Sequence, residues 1–288
     1  MRSFLPSDLK TPELHGLLLG SIGPRPIAFA STLDQDGKPN LSPYSFFNVF
    51  SANPPIMIFS PARRVRNNTT KHTLENALAT KEVVINVVNY AIVQQMSLSS
   101  TEYAAGVNEF EKAGLSMLES DIVKPFRVKE SPVQYECKVN EVVALGNEGG
   151  AGNLIIAEVV KLHVNESILT EDLKINQHEI DLVARMGGNW YTRANLGMFE
   201  VPKPLSNLGI GVDQIPAKIQ NSKILSGNDL GQLGNVESLP TPEEISNFVE
   251  AENLKSKIDL KSEAAKHEQA KKYIENSQVD AAWKTLLA

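Results

Sequence analysis

The chain has 288 residues, of which 42% are apolar and 22% are charged, and its formal net charge is −6. These values are typical of a soluble protein with one or two domains, and the acidic balance argues against nucleic acid as a main partner, because phosphate backbones require basic surfaces. No apolar run approaches the roughly 20 residues that span a bilayer, so no membrane contact is predicted. The single cysteine, Cys137, excludes an internal disulfide and favours the reducing cytoplasm.

The first predicted element is a short apolar segment at residues 11–20, which carries four leucines after Pro12. We expect a helix or turn that packs on the rest of the fold. Residues 26–33 then predict a strand, Asp36–Gly37 is a hairpin signal, and residues 40–47 should return antiparallel. Two prolines lead into an apolar run at 55–60, which suits the start of a strand because proline cannot donate to a ladder.

A helix is predicted over residues 70–80, with Thr69 or Thr70 as its N-cap and with Leu74 and Ala77 on its apolar face. Residues 133–145 alternate in polarity, which indicates a strand. In that strand, Cys137 is expected to be a small buried hydrophobe rather than a reactive thiol. The other predicted elements are strands at 83–88 and 153–164, short helices at 91–99 and 108–113, and a glycine-rich turn at 149–152.

Several strands at hairpin spacing, with few helices, predict a mainly β fold. They favour a closed antiparallel barrel with flanking helices over a doubly wound sheet.

The composition changes after about residue 202, so two regions are predicted, 1–202 and 203–288. In the second region, Thr241 to Glu244 combine a helix cap, a proline at the first position and a glutamate at the third. The remainder is rich in Glu, Lys and Ala and predicts one or two exposed helices. Because this extension is too polar to bury a core by itself, we expect an arm on the barrel or a partner-binding segment.

Small hydroxyl residues end the first two strands, at Ser31 and Thr32 and again at Ser45. Such residues let the backbone approach a flat aromatic ring and add hydrogen-bond donors, while Phe46 and Asn48 could line the ring. The alternative is that the hydroxyl residues merely end strands and that the phenylalanine fills a core. Taken alone, these residues favour that alternative.

A second group of candidates is cationic, in a chain that is acidic overall. A helix that opens at Thr70 to Thr73 offers free N–H groups and a favourable dipole for a phosphate, and Lys71 adds a charge. His72 is more simply a surface residue than a base. The cationic side chains of this group are Arg25, Arg63, Arg64, Arg66 and Lys71.

Within the segment 185–193, two glycines are followed by aromatic and arginine side chains, including Tyr191. It could present a ring and a guanidinium to a planar or anionic ligand, or it could be a turn with aromatic anchors. The sequence contains no dinucleotide fingerprint, no P-loop and no nucleophile elbow. The spacing of His163, His178 and His267 indicates no metal site.

Four short motifs follow one another between residues 24 and 76. They are Pro24–Arg25–Pro26 with Ser31–Thr32, Ser45–Phe46–Phe47–Asn48, Asn53–Pro54–Pro55 with Phe59–Ser60, and Lys71–His72–Thr73 with Asn76. Each motif is weak alone. In this order, over about residues 15–200, they resemble the flavin reductase-like family of FMN-binding split barrels.

The resemblance implies a split β-barrel, usually a homodimer, with FMN at or near the subunit interface. It implies that Ser31 and Thr32 meet the isoalloxazine ring or the ribityl chain, and that the loop ending at Tyr191 closes the pocket. The residues that it implies around the ring are Ser45, Phe46 and Asn48, and those around the phosphate are Ser60, Arg66, Lys71 and Thr73.

The predicted function is that of a cytoplasmic flavoprotein that binds FMN non-covalently and passes reducing equivalents, with NADH or NADPH as the hydride donor. No catalytic side chain is assigned. Two alternatives stay open: a flavoredoxin-like electron carrier without nicotinamide turnover, and an interaction protein without a cofactor whose helical extension is the functional part. The expected partners are a second copy of the chain and a redox partner protein.

Overall fold

The computed structural model describes residues 1–202 and 208–288. Contacts divide the chain into two compact units, Met1–Phe199 (the N-terminal unit) and Glu200–Ala288 (the C-terminal unit). The sequence predicts a boundary between residues 202 and 203, and residue 203 lies outside the described residues. Among the helices described, none has the length and apolar character needed to cross a membrane.

The N-terminal unit combines β-strands with short helices. Its strands are β1 (Ala28–Leu33), β2 (Pro39–Tyr44), β3 (Phe47–Ala52), β4 (Pro55–Phe59), β5 (Glu82–Val87), β6 (Met117–Leu118), β7 (Arg127–Val128), β8 (Val133–Ala144), β9 (Asn153–Val164), β10 (Val183–Arg185) and β11 (Tyr191–Arg193). Its α-helices are α1 (Thr11–Ser21), α2 (His72–Thr80), α3 (Val93–Leu98) and α4 (Glu109–Ala113). Strands β6 and β7, and strands β10 and β11, form two small separate pairs.

The main sheet has seven strands in the order β2-β1-β5-β8-β9-β4-β3, and all neighbouring pairs are antiparallel. The prediction of a large antiparallel sheet with flanking helices is confirmed, but the barrel is not closed, since the edge strands β2 and β3 do not pair with each other. Strand β2 ends at Tyr44 and β3 begins at Phe47, and three residues span at most about 11 Å. The sheet therefore curls until its two open edges converge at residues 44–48, which we call the β2–β3 corner.

The predicted hairpin between the first two strands is confirmed. Strands β1 and β2 pair antiparallel from Ala28 opposite Tyr44 to Leu33 opposite Pro39. In the turn, Asp34 Oδ1 accepts hydrogen bonds from the backbone N–H groups two and four residues further on. Gly37 has a φ of 82°, in the left-handed region that glycine adopts without strain.

The two faces of the sheet are covered by different helices, because side chains alternate along each strand. Ala28 and Ala30 of β1 belong to a core that includes Leu74 of α2. Phe29 belongs to the opposite core, which includes Met96 of α3. Helix α2 therefore packs on one face of the sheet, and α3 and α4 pack on the other.

Helix α1 forms where the leucine-rich segment predicts it, but it buries none of its residues. Leu17 and Leu18 are 47% and 52% exposed, and Ile22, directly after the helix, is 64% exposed. The helix does contact the rest of the fold, since the His15 ring lies 6.3 Å from the Phe46 ring and the Leu19 carbonyl accepts from Arg25. Leu17 and Leu18 nevertheless leave an uncovered apolar surface.

Helix α2 also forms as predicted, but its N-cap is Lys71, which makes no side-chain capping hydrogen bond. Thr69 and Thr70 do not cap the helix, because their hydroxyl groups are engaged elsewhere: Thr69 donates to Asn67 Oδ1 (2.9 Å), and Thr70 donates to Glu75. The first N–H groups of a helix have no acceptor in a preceding turn. While those of Leu74 and Glu75 donate to the Lys71 carbonyl, those of His72 and Thr73 have no acceptor among the described residues and stay available.

Strand β8 confirms the expected burial of Cys137, which is a free thiol with no exposed surface. Burial also raises the pKa of this thiol, as does the neighbouring charge of Glu136. The simple alternation predicted for the strand is interrupted, because the register between β8 and β9 shifts after Glu136 and again after Val139. Glu136, expected on the polar side, is fully buried.

The C-terminal unit is a helical bundle with its own core, so the expectation of an extension too polar to bury one is wrong. Trp283 is 1% exposed, and its Nε1–H donates to the carbonyl of Leu233 (3.0 Å). The core is assembled from apolar residues far apart in a polar sequence, including Ile215, Leu233 and Ile274. The helices are α5 (Ala217–Gln220), α6 (Gly227–Leu233), α7 (Pro242–Ala251), α8 (Leu254–Lys257), α9 (Glu263–Glu275) and α10 (Val279–Leu287).

The predicted start of α7 is confirmed. Thr241 is the N-cap and Pro242 occupies the first turn. The Thr241 hydroxyl accepts from the N–H of Glu244 (3.3 Å), and the Glu244 carboxylate accepts from the N–H of Thr241 (2.7 Å). This reciprocal capping box satisfies two otherwise unpaired donors.

Candidate functional site

The β2–β3 corner holds three of the predicted ring contacts. The N–H of Ser60 donates to the carbonyl of Phe46 (2.9 Å), which ties the end of β4 to the corner. The Phe46 ring is 41% exposed and Asn48 is exposed, while Ser45 is half-buried. The corner thus presents one aromatic ring with polar groups on both sides of it.

Arg25 is buried, and its guanidinium is occupied by the chain itself. It donates to the carbonyls of Leu19 (2.8 Å), Ile22 and Met186 (2.9 Å). Burial lowers the pKa of Arg25, and the nearby charge of Arg185 lowers it further. The structure therefore places Arg25 as a clamp between the end of α1 and the loop after β10, where its donors are not free for a phosphate.

Ser31 and Thr32 are fully buried, and because they are consecutive in β1 their side chains face opposite sides of the sheet. The Thr32 hydroxyl accepts from Asn76 Nδ2 (3.1 Å) and lies 3.4 Å from Asn40 Oδ1. The Ser31 hydroxyl has no hydrogen-bond partner among the described residues. The two hydroxyl groups, predicted to serve one ligand, are separated by the strand itself.

Thr73 lies in a buried polar network that sequence reasoning missed. Its hydroxyl donates to Asn40 Oδ1 (2.7 Å), and Asn40 Nδ2 donates to Glu109 Oε1 (3.1 Å). Burial raises the pKa of Glu109, against the effect of hydrogen bonds from the Leu41 N–H and from Asn40. Asn40 and Glu109 are 69 positions apart, so no local pattern relates them. The network fixes the start of α2 against the first hairpin.

The cationic loop between β4 and α2 contains an ion pair that local patterns also missed. Arg64 Nε lies 3.3 Å from Glu102 Oε1, and Arg66 pairs with the other oxygen of the same carboxylate. The Arg64 guanidinium also donates to the Thr69 hydroxyl (3.1 Å). The Arg66 side chain is 71% exposed and that of Glu102 is 47% exposed, so the pair lies at the surface.

Two cations of this loop lack a carboxylate partner among the described residues: Arg63, whose guanidinium donates to Asn68, and Lys71. The Lys71 Nζ lies 5.3 Å from the centroid of the Tyr44 ring. Burial and the charge of Arg64 lower the pKa of Lys71, while Glu102 raises it. The Tyr44 hydroxyl is buried and has no hydrogen-bond partner in the described part of the chain. A lysine ammonium without a carboxylate partner among the described residues thus lies over the Tyr44 ring at the start of α2, and a cation at a helix N-terminus fits an anionic phosphate.

The glycine-rich turn after β8 forms hydrogen bonds with the cationic loop between β4 and α2. The N–H of Arg63 donates to the carbonyl of Ala151 (2.8 Å). Ser60 Oγ accepts from the N–H of Asn153 (3.0 Å), which leaves the Ser60 proton free to be donated. A Cβ atom at Gly152 would lie 2.7 Å from Ser60 Oγ, so glycine is required for this approach. The turn, which the sequence showed only as a loop, orients the predicted phosphate contact Ser60.

Tyr191 lies elsewhere. It packs against the core that contains Phe29, on the face opposite α2. Its ring lies 4.7 Å from the Arg185 guanidinium carbon, and together with Tyr90 and Arg193 it lines a cavity of about 190 Å³. The structure therefore places Tyr191, which was predicted to close the pocket, on the opposite face of the sheet from α2.

A further charged cluster brings together side chains of metal-ligating type. Ligand atoms of Asp121, Glu136 and His163 lie within 4.8 Å of one another, because the β8–β9 pair joins residues 27 positions apart. Glu136 accepts from the backbone N–H groups of residues 121–123 (2.9, 2.6 and 3.1 Å) and shares a 2.6 Å hydrogen bond with His163 Nε2. Asp121 pairs with Lys161. Donor groups surround both carboxylates, so the cluster is better explained as an anchor for the loop at residues 121–123 than as a metal centre.

This anchor predicts a specific acid sensitivity. Burial raises the pKa of Glu136, but the hydrogen bonds from residues 121–123 and His163 outweigh it and lower the pKa to about 2. A carboxyl group with a depressed folded-state pKa stabilises the fold fully above its ordinary value of about 4.3, and that contribution is lost as the pH falls towards 2. We expect Glu136→Gln to lower the free energy of unfolding by about 2 kcal/mol near neutral pH.

The same variant should lose less stability than the wild type on acidification through that window, because the ionisable group is gone. Thermal unfolding followed by circular dichroism at a series of pH values measures both effects. Glu141→Gln is the matched control, since Glu141 is an exposed residue of the same strand. Identical pH slopes for wild type and Glu136→Gln would show that the anchor does not carry this dependence.

Comparison with known proteins relates the N-terminal unit to a known domain family. Residues 20–181 match the flavin reductase like domain family, more than half of the chain. An uncharacterized protein of Aquifex aeolicus is 37% identical over 191 residues, which cover 66% of this chain and 95% of the relative.

Two solved structures resemble the fold. Nitrilotriacetate monooxygenase component B from Bacillus cereus has a TM-score of 0.66 at 30% identity and covers 70% of this chain and 98% of its own. The 2-nitrobenzoate 2-nitroreductase of Pseudomonas fluorescens has a TM-score of 0.64 at 25% identity, with coverage of 71% and 98%. The family match ends at residue 181, before the C-terminal unit begins. The chain belongs to the flavin reductase like domain family, with a split-barrel domain of a flavin-related oxidoreductase in its N-terminal unit.

Proposed function

We propose that the chain binds FMN at the β2–β3 corner and that the bound flavin accepts a hydride from NADH or NADPH. The observation that carries this proposal is the Lys71 ammonium at the start of α2, which has no carboxylate partner among the described residues and lies within the electrostatic influence of Arg64. A helix N-terminus with a lysine and a free hydroxyl is a suitable seat for a phosphate. The exposed Phe46 ring, adjoining Ser60 through a hydrogen bond, suits an aromatic ring that extends from that seat.

In this proposal the bound flavin supplies the hydride-accepting ring. Ser60 donates its free proton to the phosphate, and Lys71 and Arg66 neutralise its charge. Ser45, Phe46 and Asn48 border the ring. Thr32 and Thr73 do not touch the flavin but fix the start of α2. Arg25 holds the end of α1 in place. Ser31 and Tyr191 lie on the opposite face of the sheet and take no part in this site.

A purified sample tests the proposal directly. We expect visible flavin absorbance, or its appearance on addition of FMN, and bleaching of that absorbance under anaerobic conditions by NADH or NADPH. Binding of FMN without bleaching by either nicotinamide would favour the alternative of an electron carrier without nicotinamide turnover. If the chain does not bind FMN, the remaining hypothesis is an interaction protein without a cofactor.

We also propose that the protein is a homodimer with the flavin near the interface, in a compartment such as the cytoplasm that keeps Cys137 reduced, and that it passes electrons to a redox partner protein. Two consecutive residues of edge strand β3, Val49 and Phe50, are 57% and 63% exposed at an irregularity in its pairing with β4. With α1, they form uncovered apolar surface of the kind that marks an interface.

Phe50→Glu should therefore convert the dimer to a monomer, because a buried carboxylate at the interface costs several kcal/mol. Sedimentation velocity measures the change, with an expected rise in the dissociation constant of at least about 100-fold. Leu173→Asp is the control, as Leu173 is 80% exposed and lies in a loop away from strand β3. An unchanged dimer in Phe50→Glu would place the interface elsewhere.

A further inference from the structure

The segment between α3 and α4, residues 101–107, runs across the start of α2, and we call it the strap. At one end of the strap, Glu102 pairs with Arg64 and Arg66 of the cationic loop. Further along, Gly106 and its two neighbours line a cavity of about 140 Å³ together with His72 and Asn76 of α2. The strap therefore lies over the same helix start to which we assign the phosphate.

Both ends of the strap are anchored by hydrogen bonds, whereas its middle contacts other elements through side chains, among them the Tyr103 ring beneath the Lys112 ammonium. On the α3 side, the buried Ser99 hydroxyl donates to the carbonyl of Met96 (2.8 Å). On the α4 side, Asn108 caps the helix by accepting from the N–H of Phe110 (3.0 Å). Between these ends, the backbone hydrogen bonds donated by the described residues 102–107 stay within the strap.

The side chain of Glu102 is thus the polar tie between the strap and the cationic loop. Its two oxygens each meet a different guanidinium, that of Arg64 and that of Arg66. Guanidinium groups recognise carboxylate and phosphate oxygens by the same geometry. The carboxylate therefore uses the N–H donors that an arriving phosphate would need, and its charge repels that phosphate.

We propose that Glu102 is an internal stand-in for the cofactor phosphate, which holds the Arg64–Arg66 pair in place and leaves when the phosphate enters. This inference rests on the proposed function. The strap moves with Glu102, and Gly106, with a φ of 82°, supplies a residue at which such a movement meets little steric resistance. When FMN binds, its phosphate then replaces the Glu102 carboxylate beside the two arginines, and the strap opens in the same step.

The test compares FMN with riboflavin, which has the same ring but no phosphate, in full-length wild type and Glu102→Gln. Both ligands are titrated while the quenching of flavin fluorescence is followed. Because Glu102 and Arg66 lie at the surface, where an ion pair contributes little, we expect Glu102→Gln to bind FMN about three- to tenfold more tightly than wild type. Riboflavin affinity should not change. Glu171→Gln, which alters an exposed glutamate far along the chain, should behave as wild type.

Hydrogen exchange gives a second readout that does not depend on affinity. FMN, but not riboflavin, should increase amide exchange in residues 101–107 of the wild type. If Glu102→Gln binds FMN as weakly as wild type or more weakly, the carboxylate is not a competitor, and the inference is overturned while flavin binding stands. If neither FMN nor riboflavin binds to any of the proteins, the proposed function itself fails.

Discussion

Lys71→Glu is expected to reduce the affinity for FMN by about 100-fold and to leave the affinity for riboflavin near that of wild type. Arg64 and Arg66 share a carboxylate, whereas Lys71 has no such partner among the described residues. The substitution replaces an attractive charge with a repulsive one beside the phosphate. Riboflavin has no phosphate, so the difference between the two ligands isolates that contact.

Fluorescence titration measures both affinities. Lys129→Glu is the control for net charge, because Lys129 is exposed and lies on a different part of the N-terminal unit. An equal loss for both ligands would show that Lys71 acts on the ring or on the fold rather than on the phosphate. Unchanged FMN affinity would remove the start of α2 from the proposed site.

Trp283→Ala is expected to destabilise the C-terminal unit by about 3–5 kcal/mol, because it deletes a large side chain from a packed core. Trp283 has 1% of its surface exposed, and the substitution also removes the hydrogen bond to the carbonyl of Leu233. Since the unit has a core of its own, we expect the N-terminal unit to stay folded when the C-terminal unit unfolds.

Urea denaturation followed by far-ultraviolet circular dichroism reports the loss of the helical bundle. The chain has two tryptophans, so in this variant Trp190 fluorescence reports the N-terminal unit alone. Trp190→Ala is the matched control, because that side chain is 77% exposed and its loss should change stability little. Simultaneous unfolding of both units in Trp283→Ala would show that they form one cooperative body.

Much of the N-terminal unit could be predicted because its signals are local. The Asp36–Gly37 turn, the period-two strands and the burial of Cys137 depend on neighbours a few positions away. The start of α7 is of the same kind, since the cap, the proline and the glutamate lie within four residues and interact as their spacing predicts.

The errors arose where composition does not reveal which contacts a residue makes, either with near neighbours or with distant residues. Thr69 and Thr70 have the composition of a cap, but their hydroxyl groups bind Asn67 and Glu75 instead. The C-terminal unit is polar on average, and only folding shows that its few large apolar residues meet in one core.

The candidate site shows the same division. The sequence alone determined the family, the order of strands and turns, and the positions at which hydroxyl and cationic residues accumulate, because these follow from local pattern and motif. Only the tertiary structure decided that Arg25 is occupied by carbonyl groups, that Ser31 and Thr32 face opposite ways, and that Glu102 reaches the cationic loop. The availability of a charged or polar group depends on which distant atoms surround it, and that is a property of the packed chain.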